Sequence, residues 1–204
     1  MIIKYLDVET FKKALMAGMQ NMIANQEYIN KINVFPVPDQ DTGTNMAMTL
    51  TGVMECIENH YFSDIKSLLE VVADASLNSS RGNSGAILAQ LFQGMSEYPA
   101  YDRLNVQQFS ELLMSAQKGA YGALSNPIEG TILTVFSHFC EVWRKASRHS
   151  HAGFKDVFAK SLLEAQDALK KTTRQLKALK KAKVVDAGAQ GLVDVLQGIA
   201  WYLE

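Results

Sequence analysis

The chain has 204 residues, of which 48% are hydrophobic, and 20 lysine and arginine side chains face 21 aspartate and glutamate side chains. This length and apolar content suffice for one large domain or two small ones. The formal net charge of −1 excludes a general attraction to nucleic acid or to an anionic membrane, so any anion site must be local.

The N-terminus lacks the basic-then-apolar order of a signal peptide, and no apolar run approaches the ~18 residues that span a bilayer. Cys56 and Cys140 both lie in apolar stretches, which favours two buried, reduced thiols over a disulfide. We therefore expect a soluble, cytoplasmic protein.

Apolar residues recur at three- and four-residue steps along almost the whole chain, which indicates amphipathic helices, and strand signals are nearly absent. Asp64 is a predicted cap for the third helix, and Asn105 with Gln108 predicts a capping box for the fifth. Clusters of Gly, Pro, Asn, Asp and Ser divide the chain into eight helical segments, at about 8–31, 44–60, 64–78, 83–97, 105–124, 129–148, 153–181 and 187–204.

Short connections make successive helices antiparallel, which predicts an all-α, eight-helix antiparallel up-and-down bundle or barrel. No repeat or low-complexity linker divides the chain, so we expect a single domain over residues 1–204. In such an array the first, third, fifth and seventh connections all lie at one end, which we call the rim. The other connections lie at the opposite end.

The four connections at the rim have distinctive sequences. The first covers residues 33–45 and contains two aspartates, while the third (78–85), fifth (126–131) and seventh (185–191) combine glycine with small polar residues. Each leads into a helix N-terminus, where unpaired backbone N–H groups and the helix dipole favour anions. Helix capping alone favours the same residue types in any single loop. Four such loops at one end favour a phosphate-bearing ligand.

Asp39 and Asp41 are the sharpest chemical feature, because two close carboxylates repel unless a cation or a proton lies between them. Oxygen ligands without histidine or cysteine suit Mg²⁺. An EF-hand calcium loop is disfavoured, since Gly43 stands where a third oxygen ligand belongs and Leu50 stands where the closing glutamate is required. The chain also lacks a P-loop and the protein kinase signatures, and its histidines have no ligand spacing tied to the acidic loop.

The stretch from Lys170 to Lys183 carries seven basic side chains at the end of a long helix. Cations complement the negative end of the helix dipole, so a solvated basic helix end is one interpretation. The other interpretation is that Lys180 or Lys181 reaches a phosphate, because this helix end lies on the rim.

Four segments in order, VFPVPDQDTGTNM, RGNSGAILAQ, EGTILTV and VVDAGAQGL, resemble the fatty acid kinase catalytic subunit. More broadly, the chain is similar to the nucleotide-binding L-type domain of dihydroxyacetone kinases. The resemblance implies an eight-helix barrel whose one end binds ATP or ADP through Mg²⁺, with two ions expected. It assigns Asp39 and Asp41 the catalytic, metal-holding role and makes Asn33 the candidate for a third metal ligand.

The rim loops and the resemblance together assign nucleotide contacts to Thr42, Gly43, Thr44, Asn45, Gly82, Asn83, Ser84, Gly130, Thr131, Ile132, Lys180, Asp186 and Gly188. The chain departs from the family pattern at Gln40 and at Ala189, where the family commonly has glycine. If position 40 has a positive φ, Gln40 is strained by about 1 kcal/mol or more.

The resemblance implies a kinase that transfers the γ-phosphoryl group of ATP to a fatty acid carboxylate, which a separate fatty-acid-binding carrier protein presents. A dihydroxyacetone kinase nucleotide-binding subunit and a non-catalytic nucleotide-binding module are the alternatives. Full-length fatty acid kinases continue into further domains, so we expect an N-terminal part of a longer chain, which could form a homodimer through those domains. We expect neither a nucleic acid partner nor a transmembrane segment.

Overall fold

The computed structural model of the protein describes residues 3–99, 102–124, 126–148 and 153–204. These residues form ten helices and two three-residue strands. In chain order the elements are β1 (Tyr5–Asp7), α1 (Val8–Ala24), α2 (Gln26–Ile32), α3 (Thr42–Ile57), α4 (Ile65–Ser79), α5 (Gly82–Ser96), β2 (Arg103–Asn105), α6 (Val106–Gly122), α7 (Ile132–Ala146), α8 (Phe154–Gln175), α9 (Lys177–Ala182) and α10 (Ala187–Leu203).

The all-α prediction is confirmed. Eight helices of 15 to 22 residues, which are all except α2 and α9, correspond to the eight predicted segments. Two predicted segments are each divided by a break. The first breaks at Asn25, between α1 and α2, and the seventh breaks at Leu176, where the backbone is extended between α8 and α9.

Side-chain caps fix the starts of several helices. Asp64 accepts a hydrogen bond from the Ser67 N–H at 2.7 Å, and Asn105 with Gln108 forms the predicted reciprocal capping box. Asp7 caps α1 in the same way, accepting from the Thr10 N–H at 2.8 Å. These bonds satisfy N–H groups that the first helical turn leaves unpaired.

A small antiparallel sheet was not predicted. β1 and β2 place Leu6 opposite Leu104, and both side chains are buried. Three residues are too few for a strand alternation to be recognised in a sequence. Because each strand runs directly into a helix and the strands are antiparallel, α1 and α6 begin at opposite ends of this sheet.

The first and last long helices, α1 and α10, pack against each other. Their backbones approach closely at two glycines: a Cβ on Gly198 would lie 2.4 Å from the Ala17 carbonyl oxygen, and one on Gly18 would lie 2.6 Å from the Val195 carbonyl oxygen. This contact joins the two ends of the helical array around one apolar core.

The two cysteines differ in environment. Cys140 is buried as predicted, and burial raises the pKa of its thiol. The prediction of burial was wrong for Cys56, which is exposed. It precedes the buried Ile57 by one residue and therefore points about 100° away from it around α3.

Within residues 3–99, 102–124, 126–148 and 153–204, no helix combines the length and the apolar character that crossing a bilayer requires.

Asp194 lies buried in α10, against α1. Its Oδ1 accepts a hydrogen bond from Gln190 Nε2 at 2.9 Å, whereas Oδ2 has no hydrogen-bond partner among the described residues. Burial raises the pKa of this carboxyl to about 6, and the bond from Gln190 only partly opposes the shift. Folding therefore disfavours the ionised form of this carboxyl relative to the unfolded chain.

We expect Asp194→Asn to raise the free energy of unfolding by about 1–2 kcal/mol at pH 7.5, because the amide resembles the neutral acid. Below pH 3.8, the pKa of the unfolded chain, Asp194 is protonated in both states and its burial carries no charge penalty. This contribution to the free energy of unfolding is lost as the pH rises through about 6, the pKa in the native state. The gain from the substitution should therefore vanish below pH 4. Urea unfolding across this pH range measures it, with the exposed Asp74→Asn on α4 as control. Equal stability of wild type and Asp194→Asn at pH 7.5 would contradict the account.

Candidate functional site

Four helices, α3, α5, α7 and α10, begin at the predicted rim. Gly188 shows how closely three of the loops meet, since a Cβ there would lie 3.5 Å from Ser84 Oγ and 3.8 Å from Ile132 Cβ. Gly82 joins the first and third loops, because a Cβ on it would lie 2.4 Å from Asn45 Nδ2. The structure thus brings the four loops together.

A cleft of about 150 Å³ lies between the first and third loops. Both aspartates of the acidic loop, which we define as residues 33–41, face it and are exposed. Eight of the ten described residues that line it are predicted site residues. These ten are Asn33, Pro36, Val37, Asp39, Asp41, Thr42, Asn45, Gly82, Asn83 and Ser84.

The donor set of the cleft fits Mg²⁺. Asp39 and Asp41 offer carboxylate oxygens, and water or phosphate oxygens would complete the coordination of a bound Mg²⁺. Within the described ranges, no group of three or more His, Cys, Asp or Glu side chains is arranged to hold a metal. Two carboxylates therefore suit an ion that a bound phosphate helps to hold, rather than a site made of protein ligands alone.

Gly43 and Thr44 contact α2 instead of lining the cleft. The Thr44 N–H donates to Asn30 Oδ1 at 3.1 Å, and its hydroxyl accepts from Asn30 Nδ2 at 2.9 Å. A Cβ on Gly43 would lie 2.1 Å from the Gln26 carbonyl oxygen. Position 43 therefore serves close helix packing. Asn30, which the sequence pattern did not single out, binds the N–H and the hydroxyl oxygen of Thr44, and the O–H of this exposed threonine keeps its hydrogen for a ligand.

The fifth loop is folded on itself. Gly130 has a φ of 85°, which glycine adopts without steric cost, and its N–H donates to Thr134 Oγ1 at 2.9 Å. The Thr131 hydroxyl donates to the Ile128 carbonyl oxygen at 2.7 Å. Gly130 and Thr131 border the rim outside the cleft lining, and Ile132, the first residue of α7 directly after this loop, reaches Gly188.

Asp186 connects the starts of α7 and α10. Its carboxylate accepts hydrogen bonds from the Ala189 N–H at 2.8 Å and from the Ile132 N–H, while its own N–H donates to Thr172 Oγ1 at 3.0 Å. Burial raises the pKa of the carboxyl to about 6, against the lowering effect of the two N–H donors. Asp186 thus connects the end of the fifth loop to the end of the seventh.

Lys180 is exposed on α9 and is not among the residues that line the cleft. The basic helix end nevertheless lies at the rim. The preceding break places Leu176 Cγ 3.4 Å, and Gln175 Cβ 2.7 Å, from a Cβ position on Gly130.

Gln40, between the two aspartates, has a φ of 59°. The predicted strain is therefore present, since a side chain is disfavoured in the left-handed region. Ala189 requires no such conformation: it lies inside α10, is buried, and donates its N–H to Asp186.

Residues 36–201 match the family model described as the DAK2 domain. The chain belongs to the DAK2 domain family. Protein YloV of Bacillus subtilis is 36% identical to it over 201 residues, which cover 97% of this chain and 36% of that protein. The DAK2 domain described here spans little more than a third of the length of the curated relatives it matches.

Two solved structures share the fold. The native dihydroxyacetone kinase of C. freundii aligns with a TM-score of 0.74 and 14% identity, covering 98% of this chain and 35% of that chain. The same kinase in complex with AMP-PNP and Mg²⁺ aligns with a TM-score of 0.70 and 16% identity, with the same coverage. These similarities support the all-α assignment.

We expect Gln40→Gly to raise the free energy of unfolding by about 0.5–1 kcal/mol. Removing the Cβ relieves about 1–2 kcal/mol of left-handed strain, and the greater freedom of glycine in the unfolded chain offsets part of it. Gln40→Ala is the matched control, because alanine keeps the Cβ and should give no gain. Urea unfolding measures both variants. Equal gains for the two would show that the glutamine side chain, and not the φ angle, causes the strain.

Proposed function

We propose that this DAK2 domain binds ATP or ADP with Mg²⁺ at the rim and acts as the nucleotide-binding part of a kinase. One observation carries the proposal: Asp39 and Asp41 line the same cleft as Gly82, Asn83 and Ser84, the first residues of α5. A phosphate chain in this cleft would meet both carboxylate-held Mg²⁺ and the N–H groups of a helix start.

The start of α5 supports an anion at the rim. Asp186 accepts from N–H groups at the starts of α7 and α10, and Asn30 accepts from the Thr44 N–H at the start of α3. Arg81, the residue before α5, makes no side-chain capping bond. The first turn of α5 therefore leaves N–H donors that a phosphate in the cleft can satisfy.

The protein's own groups would act mainly by positioning. Asp39 and Asp41 would bind Mg²⁺ beside the phosphate chain, while Asn45, Asn83 and Ser84 would donate hydrogen bonds to phosphate oxygens. Bound Mg²⁺ would neutralise the charge that develops on the phosphates during transfer. Asp186 would keep the seventh loop against the third, where Gly188 faces Ser84.

The finer proposal is that the acceptor is a fatty acid carboxylate on a separate carrier protein. The four ordered motifs support it through their resemblance to fatty acid kinases. A carboxylate is ionised near neutral pH and needs no general base, and among the residues that the structure describes no histidine, cysteine or lysine lines the cleft. One carboxylate oxygen would bond to the γ-phosphorus as the bond to the ADP oxygen breaks, giving an acyl phosphate and ADP.

A hydroxyl acceptor is the second candidate, because the two solved structures described above are of a dihydroxyacetone kinase. In that case another subunit would hold dihydroxyacetone next to the rim. We further propose that residues 1–204 form one domain of a longer cytoplasmic protein, whose other domains engage the carrier and could form a homodimer.

We expect Mg²⁺ to tighten ADP binding, and Asp39→Asn or Asp41→Asn to remove about 10- to 100-fold of the metal-dependent affinity, because each loses a charged ligand. Titration calorimetry with and without Mg²⁺ measures this effect. Glu129→Gln, an exposed acid of the fifth loop outside the cleft, should leave it unchanged. Wild-type ADP affinity that does not depend on Mg²⁺ would refute the role of the aspartates.

With ATP and a fatty-acid-loaded carrier protein, we expect the full-length protein to form acyl phosphate, trapped as the hydroxamate. Asp39→Ala should lower the rate at least ~100-fold, because charge neutralisation supplies most of the catalysis. A parallel assay supplies dihydroxyacetone and a dihydroxyacetone-binding subunit. Turnover only in that assay would favour the second candidate, and nucleotide binding without turnover in either would favour a non-catalytic module.

A further inference from the structure

The side chain of Asn33 is used inside the acidic loop. It is 2% exposed, and its Nδ2 donates to the carbonyl oxygens of Phe35 and Val37, both at 3.3 Å. Its Oδ1 accepts from the Asp41 N–H, also at 3.3 Å. A side-chain amide has two N–H donors, so both donors of Asn33 are already committed to the loop.

Asn33 follows α2 directly, and α2 is fixed to the start of α3. The Gly43 backbone packs on the Gln26 carbonyl, and Asn30 bonds both the N–H and the hydroxyl of Thr44. The segment from Gln26 to Asn33 therefore contacts both the acidic loop and the start of α3, which follows that loop.

The loop needs such support before a cation is bound. Asp39 and Asp41 are exposed like charges only two residues apart, and Gln40 between them is held at a φ of 59°. Repulsion between the carboxylates and the left-handed residue both favour other loop conformations. The three hydrogen bonds of Asn33 stabilise the observed loop conformation against these alternatives.

We propose that Asn33 is a positioning residue: it fixes the acidic loop so that Asp39 and Asp41 face the cleft, and it is not itself a metal ligand. The inference rests on the proposed metal site and replaces the third-ligand role expected from the sequence resemblance. If Asn33 were a metal ligand, its Oδ1 would have to coordinate Mg²⁺ while it also accepts a hydrogen bond from the Asp41 N–H. The Asn33 side chain is, moreover, almost wholly buried.

The first test uses Asn33→Ala without metal. Loss of the Oδ1 acceptor should raise the Asp41 amide hydrogen-exchange rate at least ~10-fold, measured by NMR, while amides inside α3 keep their protection and show that the domain is folded. Asn59→Ala, at an exposed position of the opposite end, is the control. Unchanged Asp41 exchange would overturn the proposal, whether or not the domain binds nucleotide.

The second test uses Asn33→Asp and Mg²⁺-dependent ADP affinity. The carboxylate keeps the acceptor but loses both donors to the loop carbonyls, so a positioning role predicts affinity weaker by about 10- to 100-fold, typical for residues that orient metal ligands. A ligand role predicts tighter binding, because the substitution adds a charged oxygen. Tighter binding would therefore overturn the proposal.

A double variant separates positioning from a general loss of structure. In an Asp39→Asn/Asp41→Asn background, Asn33→Ala should cause no further loss of Mg²⁺ dependence, because its effect passes through the two carboxylates. An additional loss of the same size as in wild type would contradict the proposal. If wild type itself shows no Mg²⁺ dependence, the proposed function fails, and the metal-free exchange experiment still decides the role of Asn33.

Discussion

The candidate site depends on the alternating direction of the helices. Because consecutive long helices run antiparallel, α3, α5, α7 and α10 all begin at one end of the molecule, and their loops meet around Gly82 and Gly188. The N-terminal dipole ends of four helices are then concentrated in a small region. At the rim, the residue before α5 makes no side-chain capping bond, so the first turn of α5 keeps N–H donors for a ligand. Fold direction and local capping together create a place for an anion.

A second level of organisation fixes the acidic side chains within that place. α2 follows the break at Asn25, packs against the backbone of Gly43, and ends at Ile32. The next residue, Asn33, holds the loop that carries both aspartates through its side-chain amide. Asp186 performs a related task on the other side of the rim, where it joins α7 to α10. The buried side chains of Asn33 and Asp186 therefore set the geometry, and the exposed carboxylates of Asp39 and Asp41 face the cleft.

The sequence predicted most of the fold because long helices repeat their apolar pattern over many turns. It did not predict the two three-residue strands or the break at Asn25, since neither changes that pattern over enough residues to be recognised. The gathering of four loops followed from alternation, and eight predicted site residues line one cleft. The contacts of Gly43 and Thr44 with α2, and those of Asn33 with its own loop, depend on how α2 packs. No periodicity encodes that packing.

A crystal structure of the domain with a non-hydrolysable ATP analogue and Mg²⁺ tests the central claim most directly. The account predicts that the phosphate chain lies between the acidic loop and the first turn of α5, with metal bound by Asp39 and Asp41. Phosphates bound away from α5, or a metal that neither aspartate touches, would contradict it.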